Sequence, residues 1–202
     1  FYVGDLKFAD LNNDGKINKG DWTLANPGDF RKIGNSSNRY PYSFDLSADW
    51  KGFDIRGFFQ GIGKRDWYAG GGNHYFWGIY AQPWTNVQTH NLDHWTPETP
   101  NAYYPRVKAY IAESTGSELA CVQTRYMQDA SYLRMKNLTI GYTLPQSLTQ
   151  KLNIERVRFY FSGENLFEIT HLKANLDPEA LDSSSKVYPL QRSYSFGVNL
   201  TF

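Results

Sequence analysis

The sequence predicts an all-β fold: antiparallel strands of a transmembrane β-barrel. Three observations carry that expectation. The first is the closing stretch, residues 192–202, RSYSFGVNLTF. Tyr194, Phe196, Val198, Leu200 and Phe202 form an unbroken every-second-residue apolar row, separated by Ser193, Ser195, Gly197, Asn199 and Thr201. Strand side chains alternate between faces, so the segment has one greasy face and one wet face. A membrane strand needs about 9–11 residues and carries aromatics at both interfaces. On this stretch alone, a half-buried strand of a soluble sheet fits equally well. The second observation is a long hairpin at 40–64 with a minimal turn. The third is that short connections alternate with long ones, the asymmetry of outer-membrane barrels.

Taken in order, residues 1–8, FYVGDLKF, read as the end of a strand running into a turn. The chain begins on Phe1, and is expected to be a piece of a longer protein. Next comes DLNNDGKINKGD at 10–21, which fits the calcium-loop pattern D-x-[DN]-x-[DN]-G with an acid at the twelfth position. Asp10, Asn12 and Asp14 occupy positions one, three and five. Gly15 makes the sharp turn, Lys16 offers its backbone carbonyl at seven, Asn18 stands at nine, and Asp21 closes the loop. Hard cations need several oxygens on a flexible loop, and this spacing supplies them. Asp replaces the usual twelfth Glu, and no amphipathic helices flank the loop. A turn rich in Asn, Asp and Gly that binds nothing has the same composition.

Residues 40–50, YPYSFDLSADW, alternate, with Tyr42, Phe44, Leu46, Ala48 and Trp50 on one face. Lys51-Gly52 is a tight turn. Residues 53–64, FDIRGFFQGIGK, return with Phe53, Ile55, Gly57, Phe59, Gly61 and Gly63 on one face, and the glycines permit close approach. Residues 65–130 form a long irregular stretch in which glycine, proline, Trp and Tyr crowd together. Such loops are usually functional or disordered, and the aromatic content argues against disorder. His90 and His94, with Asp93 between, have neither a helix to align them nor a further ligand nearby, so no zinc site is read there. Residues 131–144 form another strand, whose apolar row changes parity and so predicts a bulge near Lys136-Asn137. One or two helical turns at 145–153 lead to a strand at 156–167. A loop at 168–191 precedes the closing strand.

About five long strands result, joined by long loops at 9–38, 65–130 and 168–191. Five strands cannot enclose a lumen, and an open sheet edge is forbidden in lipid. The missing strands are expected from the rest of the polypeptide.

Composition narrows the function classes. Among 202 residues, aromatics make up 17% and the net charge is +1, which gives no argument for nucleic acid. Mean hydropathy is −0.58 and no apolar run is long enough for a transmembrane helix; barrel alternation is hidden from such averaging. The single Cys121 allows no internal disulfide. Carboxylate pairs such as Asp45 and Asp49, or Glu113 and Glu118, lack a supporting constellation, so an enzyme is not expected.

Several segments together are similar to a known family. SYLRMKNLTIGYTLP, RFYFSGENLF, the DPE at 177–179 and YPLQRSYSFGVNLTF resemble the last strands of SusC/RagA-type TonB-dependent transporters. So do WTPETPNAYYPR and DLKFADLNNDGKINKGD, in the same order. The resemblance covers 1–202 and implies the C-terminal part of a barrel of the 22-stranded, plugged type, with the plug domain absent. It implies residence in the bacterial outer membrane and import of oligosaccharides or peptides with a SusD-like surface lipoprotein as lid. It further implies contact with TonB through the absent N-terminal part. Phe202 matches the assembly signal at barrel C-termini.

The competing function is a soluble, calcium-stabilised β-domain that binds carbohydrate. Under either reading Trp67, Tyr68, Tyr75, Trp77, Trp84 and Trp95 are the candidate contacts, for sugar rings or for the lid. Holding the loop together is the commoner fate of loop aromatics. Near the bilayer midplane an Arg at Val198 is expected to cost about 2–4 kcal/mol.

Overall fold

Five strands form one antiparallel sheet in a computed structural model that describes residues 2–181 and 188–202. They are β1 (Arg39–Trp50), β2 (Phe53–Lys64), β5 (Tyr132–Thr143), β6 (Arg156–Thr170) and β7 (Ser193–Thr201), in the order β1-β2-β5-β6-β7. Two short strands, β3 (Asp66–Trp67) and β4 (Gln128–Asp129), make a separate two-stranded ladder. Strand β6 runs three residues beyond the expected end at 167, so the last long connection starts at 171. Residues 2–8 are not a strand, as the sequence suggests, but a turn in which the Tyr2 N–H donates to the Asp5 carboxylate at 2.8 Å. The expectation for Phe1, and for 182–187 within the last loop, falls outside the described residues.

The chain divides into two compact units. One contains the sheet, from 36–66, 128–181 and 188–202; the other is built from 2–35 and 67–127.

In the sheet unit, the alternation of the sequence becomes two chemically distinct faces. Register places Trp50, Phe53, Tyr142, Phe159 and Val198 in one row across the strands. The next row is Ala48, Ile55, Ile140, Phe161 and Phe196, and the next Leu46, Gly57, Leu138, Gly163 and Tyr194. Beyond them Phe44, Phe59, Met135 and Phe167 align, with the Phe44 and Phe59 rings stacked at 4.7 Å. Leu46, Ile55, Ile140, Phe159 and Phe196 all stand exposed on this face. A large apolar surface left open in this way marks a membrane or partner surface. Between Tyr42 and Trp50 the band extends about 26 Å along the strand, or about 20 Å once tilted, most of an outer-membrane apolar belt.

The opposite face is polar. Arg56 makes a two-pronged contact with Asp45, with Nη2 to Oδ2 at 2.6 Å and Nε to Oδ1 at 3.1 Å. Arg158 reaches across β5 to Asp54, with Nε to Oδ1 at 2.8 Å. Gly141, the register partner of Asp54 on β5, leaves that path open: a Cβ there would meet both the Arg158 guanidinium and the Asp54 carboxylate at 2.5 Å.

The turns follow from local chemistry. Lys51 and Gly52 both take positive φ, 48° and 86°, the signature of a type I′ hairpin turn whose twist suits its strands. On the apolar face Gly61 lets the Tyr42 ring cross β2, and the Tyr42 hydroxyl donates to the Tyr132 carbonyl at 3.2 Å. A Cβ at Gly61 would come within 2.5 Å of the Tyr42 ring, so Gly61→Val is expected to lower stability by about 1–3 kcal/mol through overpacking, measured by denaturant unfolding. The bulge expected near Lys136-Asn137 is present: register shifts between Met135 and Asn137 against β6, and opposite the same site against β2. The extra residue restores the apolar parity of Leu133 and Met135.

The strand order also sorts the connections. The two-residue turn at 51–52 and the compact 144–155 segment, with α2 (Gln146–Thr149), lie at one end of the sheet. The chain entering β1, the 65–131 segment and the 171–192 segment all join strands at the other end.

Candidate functional site

The second unit explains why residues 65–130 have so little periodicity: they form an aromatic core that needs none. Phe76 and Trp77 lie on α1 (His74–Trp77), whose N-terminus is capped by the buried Asn73 side chain accepting from the Phe76 N–H at 3.0 Å. Around them gather Tyr80, Tyr104 and Tyr126, all buried. Trp77 meets Tyr126 edge-on at 5.3 Å, and Tyr80 stacks on Tyr104 at 5.6 Å. Each polar tip finds a backbone carbonyl. The Trp77 indole donates to the carbonyls of Ala69 and Gly70 at 3.1 Å. The Tyr80 hydroxyl donates to Pro105 at 2.7 Å and the Tyr104 hydroxyl to Phe76 at 3.0 Å. Tyr and Trp thus supply both apolar area and hydrogen bonds for irregular backbone. Burial pushes the Tyr126 phenol up to about 12 against the opposing Arg125, so these hydroxyls stay neutral donors.

This core reassigns most of the candidate contact residues. Trp67 and Trp77 are buried inside it, unavailable to any ligand. Tyr68 is half-buried, its hydroxyl donating to Leu119 at 2.8 Å. Tyr75 packs against His90 at 5.4 Å, and Trp95 lies against Gly4. Trp84 alone of the six is exposed, at 71%, with Tyr110 edge-on at 6.0 Å. The correction has a physical cause: a loop this long must bury something, and its largest rings serve first. His90 and His94 turn to the carbonyls of Phe76 and Asn91. No group of three or more His, Cys, Asp or Glu suited to a metal occurs among the described residues.

An ion cluster ties the N-terminal segment to this unit. Asp5, whose side chain is only 5% exposed, faces Lys108 at 3.0 Å and Arg106 at 3.2 Å. Lys108 also pairs with Glu118, and Arg106 lies over the Tyr2 ring at 5.3 Å. Burial opposes ionisation of Asp5, but the Tyr2 N–H and the two cations prevail and bring its pKa down to about 2. The folded value lies below the unfolded one, about 3.9. The contribution to stability is therefore complete above that value and is lost as pH falls toward 2. An acid titration followed by tryptophan fluorescence is expected to show a transition in that window that Asp5→Asn lacks.

The Asx-rich loop at 10–21 is ordered by its own side chains. Asp10 accepts from the N–H groups of Asn13 at 2.6 Å and Gly15 at 2.8 Å. Asp14 accepts from the Lys16 N–H at 2.8 Å, and the amides of Asn12 and Asn18 turn toward its other oxygen at 3.0 and 3.5 Å. Asn12 and Asn18 thus converge on Asp14 through their NH2 groups, while their side-chain oxygens accept from the N–H groups of Asp14 at 3.1 Å and Gly20 at 2.8 Å. Asp21 departs from the expected pattern: its backbone N–H bonds to the Asn26 carbonyl at 3.0 Å, and its carboxylate makes no hydrogen bond among the described residues. The carboxylate that closes the loop is Asp29, which accepts from Leu11 and Asn18, both at 2.7 Å. Those two N–H groups, the Asn18 one foremost, hold it below the usual carboxylate range. Asp29 lies outside the twelve-residue pattern, so loop spacing alone does not reveal it.

A sheet with one apolar and one polar face, and its long connections at one end, is a wall of an outer-membrane-type β-barrel. No family model matches the chain. Among curated proteins, "TonB-dependent receptor P3" of Formosa agariphila is 30% identical over 216 residues, covering 98% of this chain and 19% of that protein. "TonB-dependent receptor P26" of the same organism is 25% identical over 213 residues, covering 99% and 20%. The chain thus spans about a fifth of the length of these relatives. Among solved structures, the RagAB peptide transporter matches with TM-score 0.57 and 26% identity, over 79% of this chain and 17% of that one. The RagAB peptide importer in the "closed-closed" state matches with TM-score 0.60 and 27% identity, over 80% and 17%. These likenesses support a fragment of the barrel of a SusC/RagA-like TonB-dependent transporter.

Proposed function

We propose that the chain belongs to an importer that carries peptides across the outer membrane with a SusD-like surface lipoprotein as its partner. Energy would come from TonB through the rest of the polypeptide, which also supplies the plug and the remaining strands. The observation that carries this reading is the match of four fifths of the chain to RagAB, a peptide importer by description. Oligosaccharide is the second cargo class, favoured by the exposed ring of Trp84, since aromatic faces suit sugar rings. Uptake of labelled peptides and oligosaccharides, compared between cells with the full transporter and cells without it, decides. Peptide uptake that depends on the transporter supports the first class, and oligosaccharide uptake the second. Dependence of neither rejects the importer.

Within this reading, the loops at 9–38 and 65–130 and the connection that starts at 171 face the cell exterior, and the 51–52 turn faces the periplasm. Under the peptide reading Trp84 is assigned to the lid, and under the oligosaccharide reading to a sugar ring instead. Trp84→Ala is expected to weaken lid binding by about 2 kcal/mol, as a central aromatic anchor does. Unchanged affinity would remove Trp84 from the interface.

The loop at 10–21 is proposed to bind calcium in a structural role, through Asp10, Asn12, Asp14, the Lys16 carbonyl and Asn18. Asp21 is a weaker member of the set than the sequence suggests. In calcium, residues 9–22 are expected to resist proteolysis, and to be cut after chelation or in Asp14→Ala while the strands stay folded. Equal cutting with and without calcium would reject the site.

A further inference from the structure

The polar face of β5 holds one charged group that the transporter reading leaves without a role. Arg134 is 2% exposed, and its side chain points away from the apolar row of Leu133 and Met135. Three carboxylates surround it. Glu168, opposite in register on β6, pairs with it directly. Asp177 lies at 2.7 Å and Glu179 at 3.4 Å, and both come from the connection that follows β6. Lys136, the bulged residue of β5, adds a contact to Glu179 at 2.8 Å.

The backbone of the connection is fastened at further points. The Leu190 N–H donates to the second Asp177 oxygen at 2.9 Å, and the Glu179 N–H to the first at 2.9 Å. Arg65 donates to the carbonyl of Pro178 at 3.4 Å, and Pro178 itself is fully buried. The Lys173 N–H donates to the Gln128 side chain at 3.2 Å.

We propose that residues 171–181 form a charge-clamped strap, folded over the polar face of β5 and β6, with Arg134 as its positioning residue. The proposal rests on the barrel reading, in which the polar face lines the interior, so the strap narrows the lumen beside these strands. The clamp is divided between fixed and movable parts. Asp177 and Glu179 travel with the strap, whereas Glu168 stays on β6. A lifted strap therefore leaves Arg134 still paired with Glu168, which avoids the large penalty of an unpaired buried charge. The strap has a second arrangement available, in which its two carboxylates are hydrated and the lumen is wider.

The test uses the full-length transporter in cells, with Cys121 and any cysteine in the rest of the polypeptide replaced by Ser as background and Ala180→Cys as the reporter. A membrane-impermeant maleimide measures access to residue 180, and heat-modifiable migration on gels reports barrel assembly. Arg134→Met and the double variant Asp177→Asn with Glu179→Gln are each expected to raise the labelling rate about tenfold or more in a heat-modifiable barrel. Arg134→Lys, which keeps the charge, is expected to stay near the parent rate. An assembled barrel whose labelling rate is unchanged in the double variant would overturn the strap while leaving the barrel reading intact. Should Arg134→Met fail to assemble, the double variant decides, because Arg134 then retains Glu168. A parent protein without heat-modifiable migration would overturn the barrel reading, and the strap with it.

Discussion

Trp77→Ala is expected to unfold the aromatic loop unit while leaving the five-stranded sheet paired. The Trp77 ring is fully buried and meets Phe76, Tyr104 and Tyr126 edge-on at 4.7, 6.3 and 5.3 Å. Truncating such a side chain costs about 3–5 kcal/mol from lost transfer energy and the cavity left behind. The carbonyls of Ala69 and Gly70 lose their donor as well, and a buried unsatisfied group adds about 1–3 kcal/mol. The unit has few regular backbone ladders to fall back on, so the ring cluster is its main source of cohesion. Limited proteolysis checks this: residues 67–127 are expected to be cut rapidly in Trp77→Ala while heat-modifiable migration of the barrel persists. Trp77→Phe keeps most of the apolar contact and loses only the indole bonds, so it is expected to fall between. Parent-like protease resistance in Trp77→Ala would remove the ring cluster as the organising core.

The sheet was legible in the sequence because a strand with one lipid-facing side has to alternate. The rows through Phe44, Leu46 and Trp50, and through Phe196, Val198 and Leu200, need no tertiary information to be read. The bulge at Lys136 was legible for the same reason: a parity change in an apolar row has one simple remedy. The loop unit was not legible. Its core residues Phe76, Trp77, Tyr80, Tyr104 and Tyr126 come from scattered turns, and no period relates them. Their selection over Trp84 depends on which carbonyls lie within reach of each hydroxyl or indole, a property of the folded backbone alone. The Asx-rich loop was half legible. Spacing finds Asp10, Asn12 and Asp14, whereas Asp29 enters through backbone N–H groups eleven and eighteen residues away. Arg134 could be read as a polar residue on a polar face, but its strap partners at 177 and 179 lie beyond a connection whose path the sequence does not specify.

Leu138→Arg is expected to destabilise the assembled barrel by about 2–4 kcal/mol, the penalty of a cation on the lipid face near the bilayer midplane. The row of Leu46, Gly57, Leu138, Gly163 and Tyr194 lies midway between the row of Trp50 and the row of Tyr42. Val198, the position that strand alternation alone suggests, shares its row with Trp50, Phe53, Tyr142 and Phe159. Those rings form a girdle at the short-turn end, where an interfacial cation costs only about 0–1 kcal/mol. Val198→Arg is therefore expected to have a small effect, correcting the larger one expected from the sequence. Thr139→Arg places the same charge one residue from Leu138 but on the polar face, opposite Arg56 in register, and is expected to cost only the modest repulsion of a like-charge cross-strand pair, about 0.2–1 kcal/mol. Unfolding of the full transporter by urea in lipid vesicles measures all three. A loss at 138 no larger than at 139 would mean that this face does not meet lipid. A loss at 198 as large as at 138 would move the midplane toward the short-turn end and dismiss the girdle.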